Sequence, residues 1–217
     1  MGLNAWRMGA RAMAMAVDLW VMERAGLHWA RAALVDAAAP LETVRPRDEA
    51  HTLELTQNEV IVSAPDGAVI QRIPFDPNEL TDFNREFFMT TPDINFDGWP
   101  DLLLIASQGL QNVYYDGWIW DPEAGQYVYE PEIRELSSPF FNARSRRVET
   151  FEHGSATDNE SAVWEWQDGR LKEISRRTQL YDDTTGLFTV RTYGLDSGGN
   201  LVLMNTETLT EAQLNST

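Results

Sequence analysis

The sequence contains no cysteine. Disulfide staples, thiolate metal sites and cysteine nucleophiles are excluded, leaving packing, hydrogen bonding or an oxygen-ligated ion to hold the fold together. Histidine is scarce too. His28, His51 and His153 are the only three, far apart and without the spacing of a zinc site. No stretch reaches the roughly 18 to 20 uninterrupted apolar residues of a membrane span. Positive charge is the remaining shortage: 17 Lys plus Arg stand against 34 Asp plus Glu, a net charge of −17. Such a surface repels phosphate backbones and anionic membranes, arguing against nucleic acid and lipid as partners, and it suits divalent cations and basic proteins. Apolar material is ample. With 217 residues, 43% of them hydrophobic, the chain can bury a core as one domain with an appendage.

Two regions differ in composition. Residues 1 to 39 are rich in Ala, Met and Arg and lack proline. Val17, Trp20, Val21, Leu27 and Leu34 recur at roughly helical spacing, predicting helix over much of 10–36 within a helical segment, residues 1–45, broken near Pro40. Arg7, Arg11, the apolar run 12–17 and Ala37-Ala38-Ala39 have parts of an export signal, but Asp18, Glu23, Arg24, His28 and Arg31 interrupt its apolar stretch. Residues 50–217 read as a β domain. Residues 59–63 and 69–73 make strands around the turn Pro65-Asp66-Gly67. Further hairpins join 118–120 to 126–129, 163–166 to 170–174 across Asp168-Gly169, and 188–193 to 201–204 across 196–200. Short strands at this spacing predict an all-β, compact antiparallel domain, propeller-like or a sandwich. Segments 74–92 and 137–161 read as the longest connections, and long connections in compact β domains often carry function.

Residues 93–101 carry the chemistry. Asp93, Asn95, Asp97 and Asp101 stand at positions 1, 3, 5 and 9 of a loop with Gly98 at position 6. Calcium takes six to eight oxygens, and alternate residues of a tightly wound loop aim side chains at one point. Glycine permits the sharp turn, and Trp99 at position 7 would give its backbone carbonyl. An EF-hand needs a bidentate Glu at position 12; here that position is Leu104, within the apolar run 102–105 that reads as a strand. An Asx-rich turn without metal would use the same residue types. Three carboxylates and an Asn at metal spacing would repel one another in an empty loop, which favours Ca2+.

Asp-x-Asn-x-Asp-Gly-x-x-Asp-Leu resembles the calcium loops of integrin-type repeats. The likeness extends through Gly109, Asn112, Tyr115, the run 118–128 (Trp-Ile-Trp-Asp-Pro-Glu-Ala-Gly-Gln-Tyr-Val), Leu136-Ser137-Ser138-Pro139, His153-Gly154-Ser155 and the run 163–171. Over residues 55–178 this order resembles the calcium-binding immunity proteins with which Gram-negative bacteria block lysozyme-like peptidoglycan hydrolase toxins. The resemblance implies a propeller-like β fold similar to invertebrate-type lysozyme inhibitors, a periplasmic address often reached with a lipid anchor, Ca2+ as the bound ion, and a peptidoglycan hydrolase as the protein partner. No lipobox cysteine is present, and residues 1–50 have no counterpart in that family.

Other features have two readings. Trp118, Trp120, Tyr127, Tyr129, Trp164 and Trp166 alternate along paired strands, as cross-strand packing or a sugar platform would require. Glu130 with Glu132, or Glu160 with Glu165, could serve as a glycosidase pair, but adjacent acids are expected by chance in so acidic a chain. Ser155 near His153 has no nucleophile-elbow sequence around it. The loop at Gly154 and Ser155 is small enough to enter a narrow cleft. Arg144, Arg146 and Arg147 form a basic cluster that could meet catalytic carboxylates or the protein's own acidic surface. The chain therefore reads as a calcium-stabilised inhibitor without enzymatic activity; a calcium-dependent adhesion or glycan-binding module is the alternative.

Overall fold

The computed structural model describes residues 51–215. The helix expected over 10–36, and with it the segment 1–45, lies outside the described residues. The described residues up to Thr210 form one compact unit; of a second unit one helical turn, Glu211–Leu214, is described.

The larger unit is all-β, and each strand pairs antiparallel with its neighbour in sequence. Strands β1 (Thr52–Leu55), β2 (Glu59–Ser63) and β3 (Val69–Pro74) make a first sheet. A second contains β4 (Met89–Thr90), β5 (Leu102–Gln108), β6 (Val113–Asp121) and β7 (Gln126–Glu130). After a 3-10 turn at Pro131–Glu135 comes a third sheet. It runs in order through β8 (Phe140–Asn142), β9 (Arg147–His153), β10 (Asn159–Gln167), β11 (Arg170–Asp182), β12 (Leu187–Leu195) and β13 (Leu201–Leu209). All three sheets are open. Their unequal sizes fit a sandwich-like stack and depart from the repeated four-stranded blades of a propeller.

Turn chemistry explains the hairpins. At the β10–β11 turn Asp168 and Gly169 have φ of 52° and 76°, and a type I′ turn needs both central residues positive. At the β6–β7 turn the Gly125 amide donates to the Asp121 carbonyl at 2.8 Å, with Gly125 at φ 64°.

Two cores flank the second sheet. Val60, Val62 and Ile73 of the first sheet pack with Leu102, Leu104, Ile105, Trp120 and Tyr127. On the other side Leu103 packs with Ile94, Phe96, Ile133, Leu136 and Val148, against Trp164, Trp166 and Leu171 of the third sheet. Strand β5 is thus the centre of a middle layer. Leu102 and Leu104 enter one core and Leu103 the other, and a register shift after Ile105 puts that residue in the first core as well, so the apolar residues run without interruption. The expected aromatic pairs are present: Trp118 lies across from Tyr129 and Trp120 from Tyr127, with ring centroids 5.3 and 5.0 Å apart. Segment 137–161 is not one long connection, because it contains β8, β9 and the start of β10. Arg147-Val148-Glu149-Thr150-Phe151 does alternate, but only Val148 is fully buried, so the apolar signal is weak.

Candidate functional site

Loop 93–101 enters directly into β5. Its backbone winds tightly, with Phe96 at φ 61° and Gly98 at φ 93°. Left-handed backbone is unfavourable for a bulky residue, and burial of the Phe96 ring in the second core holds it there. Ile94 enters the same core, so positions 2 and 4 anchor the loop, while Asp93, Asn95 and Asp97 at positions 1, 3 and 5 bond within the turn. The Asp93 carboxylate accepts from the amides of Asp97 at 3.0 Å and Gly98 at 2.9 Å. Asn95 Oδ1 accepts from the same Asp97 amide at 3.1 Å, so positions 1 and 3 of the loop converge on one point. Asn95 Nδ2 donates to Asp97 Oδ2 at 2.8 Å, and Asp97 Oδ1 accepts from the Trp99 amide at 2.8 Å.

Asp101 closes the loop from below. It is 0% exposed, and its two oxygens accept from the amides of Ile94 at 2.6 Å and Trp120 at 2.8 Å. One carboxylate thereby ties the start of the loop to β6. Burial lifts this carboxyl from the ordinary range to about 7; its two amide donors pull the other way, and the charges of Asp97 and Asp93 add to the rise. Outside the ring of carboxylates, the indole of Trp166 donates to the Ile94 carbonyl at 2.8 Å. Asp93 and Asp97 are turned to the loop's own amides and Asp101 to those of Ile94 and Trp120, and among the described residues no three His, Cys, Asp or Glu side chains stand as a ready-made metal cage. A cation would exchange those amide bonds for its own and relieve the mutual repulsion of Asp93, Asp97 and Asp101. In that respect the donor set fits a hard ion.

The second expected site is split in two. Gly154 and Ser155 lie in the turn from β9 to β10, where both amides donate to the Asp158 carbonyl at 3.0 and 3.2 Å. Ser155 Oγ accepts from the amides of Thr157 and Asp158 at 3.2 and 3.0 Å, so the hydroxyl shapes the turn, and no bond joins it to His153. Three distant groups brace the turn. Gln179 Nε2 donates to the Thr157 carbonyl at 2.8 Å, and the Tyr181 amide donates to Asp158 Oδ1 at 2.7 Å. Asn112 clamps the backbone of His153, donating to its carbonyl at 3.0 Å and accepting from its amide at 2.9 Å. Gly154, Ser155 and Ala156 remain exposed.

Arg144 and Arg146 sit in the β8–β9 turn, at the opposite end of β9, and Arg147 pairs with Glu165 at 2.9 Å. Seven residues of strand separate the arginines from Gly154, a span of roughly 20 Å, so one cleft-entering loop does not include both groups. The Asn112 and Gln179 braces escaped sequence reasoning. They bridge 41 and 22 residues, and an isolated Asn or Gln gives no local signal.

No family model matches the chain, and no curated protein does. Among solved structures it is similar to that of a Xanthomonas type IV secretion system related protein. That match has a TM-score of 0.50 at 15% identity, covering 71% of this chain and 85% of the other. The likeness is one of fold.

Proposed function

We propose that this protein is an inhibitor of the immunity type: a calcium-stabilised β domain that occludes the cleft of a lysozyme-like peptidoglycan hydrolase and does no chemistry itself. The observation that carries this reading is the turn 154–158, exposed at its tip and fixed from beneath by Asn112, Gln179 and the Tyr181 amide. A projecting loop already held in one conformation loses little freedom on binding, which a cleft-entering inhibitor needs. The sequence resemblance to immunity proteins points the same way. So does fold likeness to a secretion-system related protein, since toxins and their immunity proteins accompany such systems. The net charge of −17 would draw in a basic hydrolase by electrostatic steering, an effect that salt weakens. Asp93, Asn95, Asp97 and Asp101 through side chains, and Trp99 through its carbonyl, would hold the calcium. Bound there, the ion would neutralise the acids of a loop that Asp101 already ties to β6 through the Trp120 amide.

The test is inhibition of cell-wall lysis by the hydrolase encoded beside this gene. Wild-type protein is expected to form a stoichiometric complex and stop lysis, and Ser155→Trp to lose inhibition while keeping its melting temperature. Equal inhibition by both proteins moves the contact off this turn. Binding of the protein to purified peptidoglycan with no enzyme present, and no inhibition, establishes the glycan-binding alternative.

A further inference from the structure

We propose that Leu110 is a second prong of the same contact, entering an apolar sugar subsite of the hydrolase cleft beside the Gly154 turn. This rests on the inhibitor reading above. Leu110 sits at the tip of the β5–β6 connection with a relative exposure of 105%, fully in solvent. The connection is nevertheless well defined. The Gly109 amide donates to the Asn112 carbonyl at 2.8 Å, and at its base the Ser138 amide donates to the Val113 carbonyl at 2.8 Å. Asn112 then joins this tip to the other, because its side chain makes both bonds to the His153 backbone, the residue before Gly154. The two tips are therefore positioned as one rigid pair.

Charge identifies the partner surface. In a chain with 34 acidic residues, segments 106–115 and 153–157 contain no Asp, Glu, Lys or Arg. Of the flanking carboxylates, Asp158 accepts from the Tyr181 amide and Asp116 is taken up by Arg134 and Tyr129, while Glu152, on the strand before the second tip, is exposed. Two uncharged tips on an otherwise strongly anionic protein are where a carboxylate-lined cleft can approach with least like-charge repulsion, and glycan-cleaving enzymes carry such carboxylate pairs. Beside those acids, sugar subsites present apolar faces that accept an aliphatic side chain. An isolated, wholly exposed Leu held on a rigid tip is a suitable anchor, since interface energy concentrates in a few buried side chains.

The experiment measures inhibition of lysis of a cell-wall suspension, with the neighbouring hydrolase and an invertebrate-type lysozyme as probes. Leu110→Ala is expected to weaken inhibition at least about tenfold, which is about 1.4 kcal/mol, and Leu110→Asp more, because it places a carboxylate against the cleft's acids. Both variants should melt with wild type, and Leu203→Ala, an exposed Leu on β13 at 52%, should inhibit normally. Inhibition by Leu110→Ala within twofold of wild type overturns this inference while leaving the inhibitor reading in place. Failure of the wild type against both enzymes overturns both.

Discussion

At the residue scale Asp101 concentrates the energetics of the loop. Its carboxyl is buried, receives two backbone amides and is pushed up to about 7 from an ordinary value near 3.8. The metal-free folded protein therefore binds this proton more tightly than the unfolded chain does. The resulting contribution is complete below the unfolded value and is lost as pH rises through the folded one. Unfolding free energy of chelated protein should fall between about pH 4 and pH 7, by up to about 4 kcal/mol from this group. Asp101→Asn should remove that slope and cost about 1–3 kcal/mol, because one of the amides from Ile94 and Trp120 then faces an NH2 group. Urea titrations across that range measure both effects; an unchanged slope in Asp101→Asn assigns it to another group. A neighbouring constraint is steric. A Cβ on Gly117 would lie 2.9 Å from three side-chain atoms of Ile133, which is itself wholly buried. Gly117→Ala should cost about 1–3 kcal/mol by overpacking, a fall of several degrees in melting temperature.

At the element scale, turn chemistry made the hairpins legible. Asp168-Gly169 is a local signal, and its positive φ pair is the one a two-residue turn demands. The same reasoning covers the β11–β12 turn, where the Gly186 amide donates to the Asp182 carbonyl at 2.8 Å, a copy of Asp121 and Gly125. That turn, flanked by polar strands, carried too little apolar alternation to stand out. Strand β9 was hidden for a different reason: the layer that covers Val148 lies elsewhere in the chain. That residues 93–101 wind into a tight loop leading into a strand was readable from the spacing of Asp, Asn and Gly. What spacing could not reveal was that Trp166, 72 residues onward, donates to the Ile94 carbonyl, or that Asp101 reaches the Trp120 amide. For the loop as a unit, calcium should raise the melting temperature and a chelator lower it. Binding only to the native state is worth about 2.7 kcal/mol at a hundredfold excess over Kd. Asp97→Ala should abolish the calcium-dependent difference, and a wild-type melting curve indifferent to chelation would remove the ion from this loop.

At the scale of the whole molecule, the acidic balance and the placement of the two uncharged tips act together. Net charge of −17 would supply long-range attraction for a basic partner, while the two tips that would enter its cleft are free of carboxylates. Sequence composition announced the first property. The second needed the fold, because segments 106–115 and 153–157 become neighbours only through the clamp between Asn112 and His153. Among the described residues no helix is long and apolar enough to cross a membrane.

The position of β5 has a consequence for time rather than for shape. Asp101 is the last residue of the loop and the first buried residue of the segment that feeds both cores, so the loop has no hinge between itself and the middle layer. Local fraying would therefore offer little route of escape to an ion held above Asp101. The residence time of an ion bound there would be coupled to the rare openings in which both cores separate together, and occupancy of the loop would act as a brake on how fast the protein unfolds.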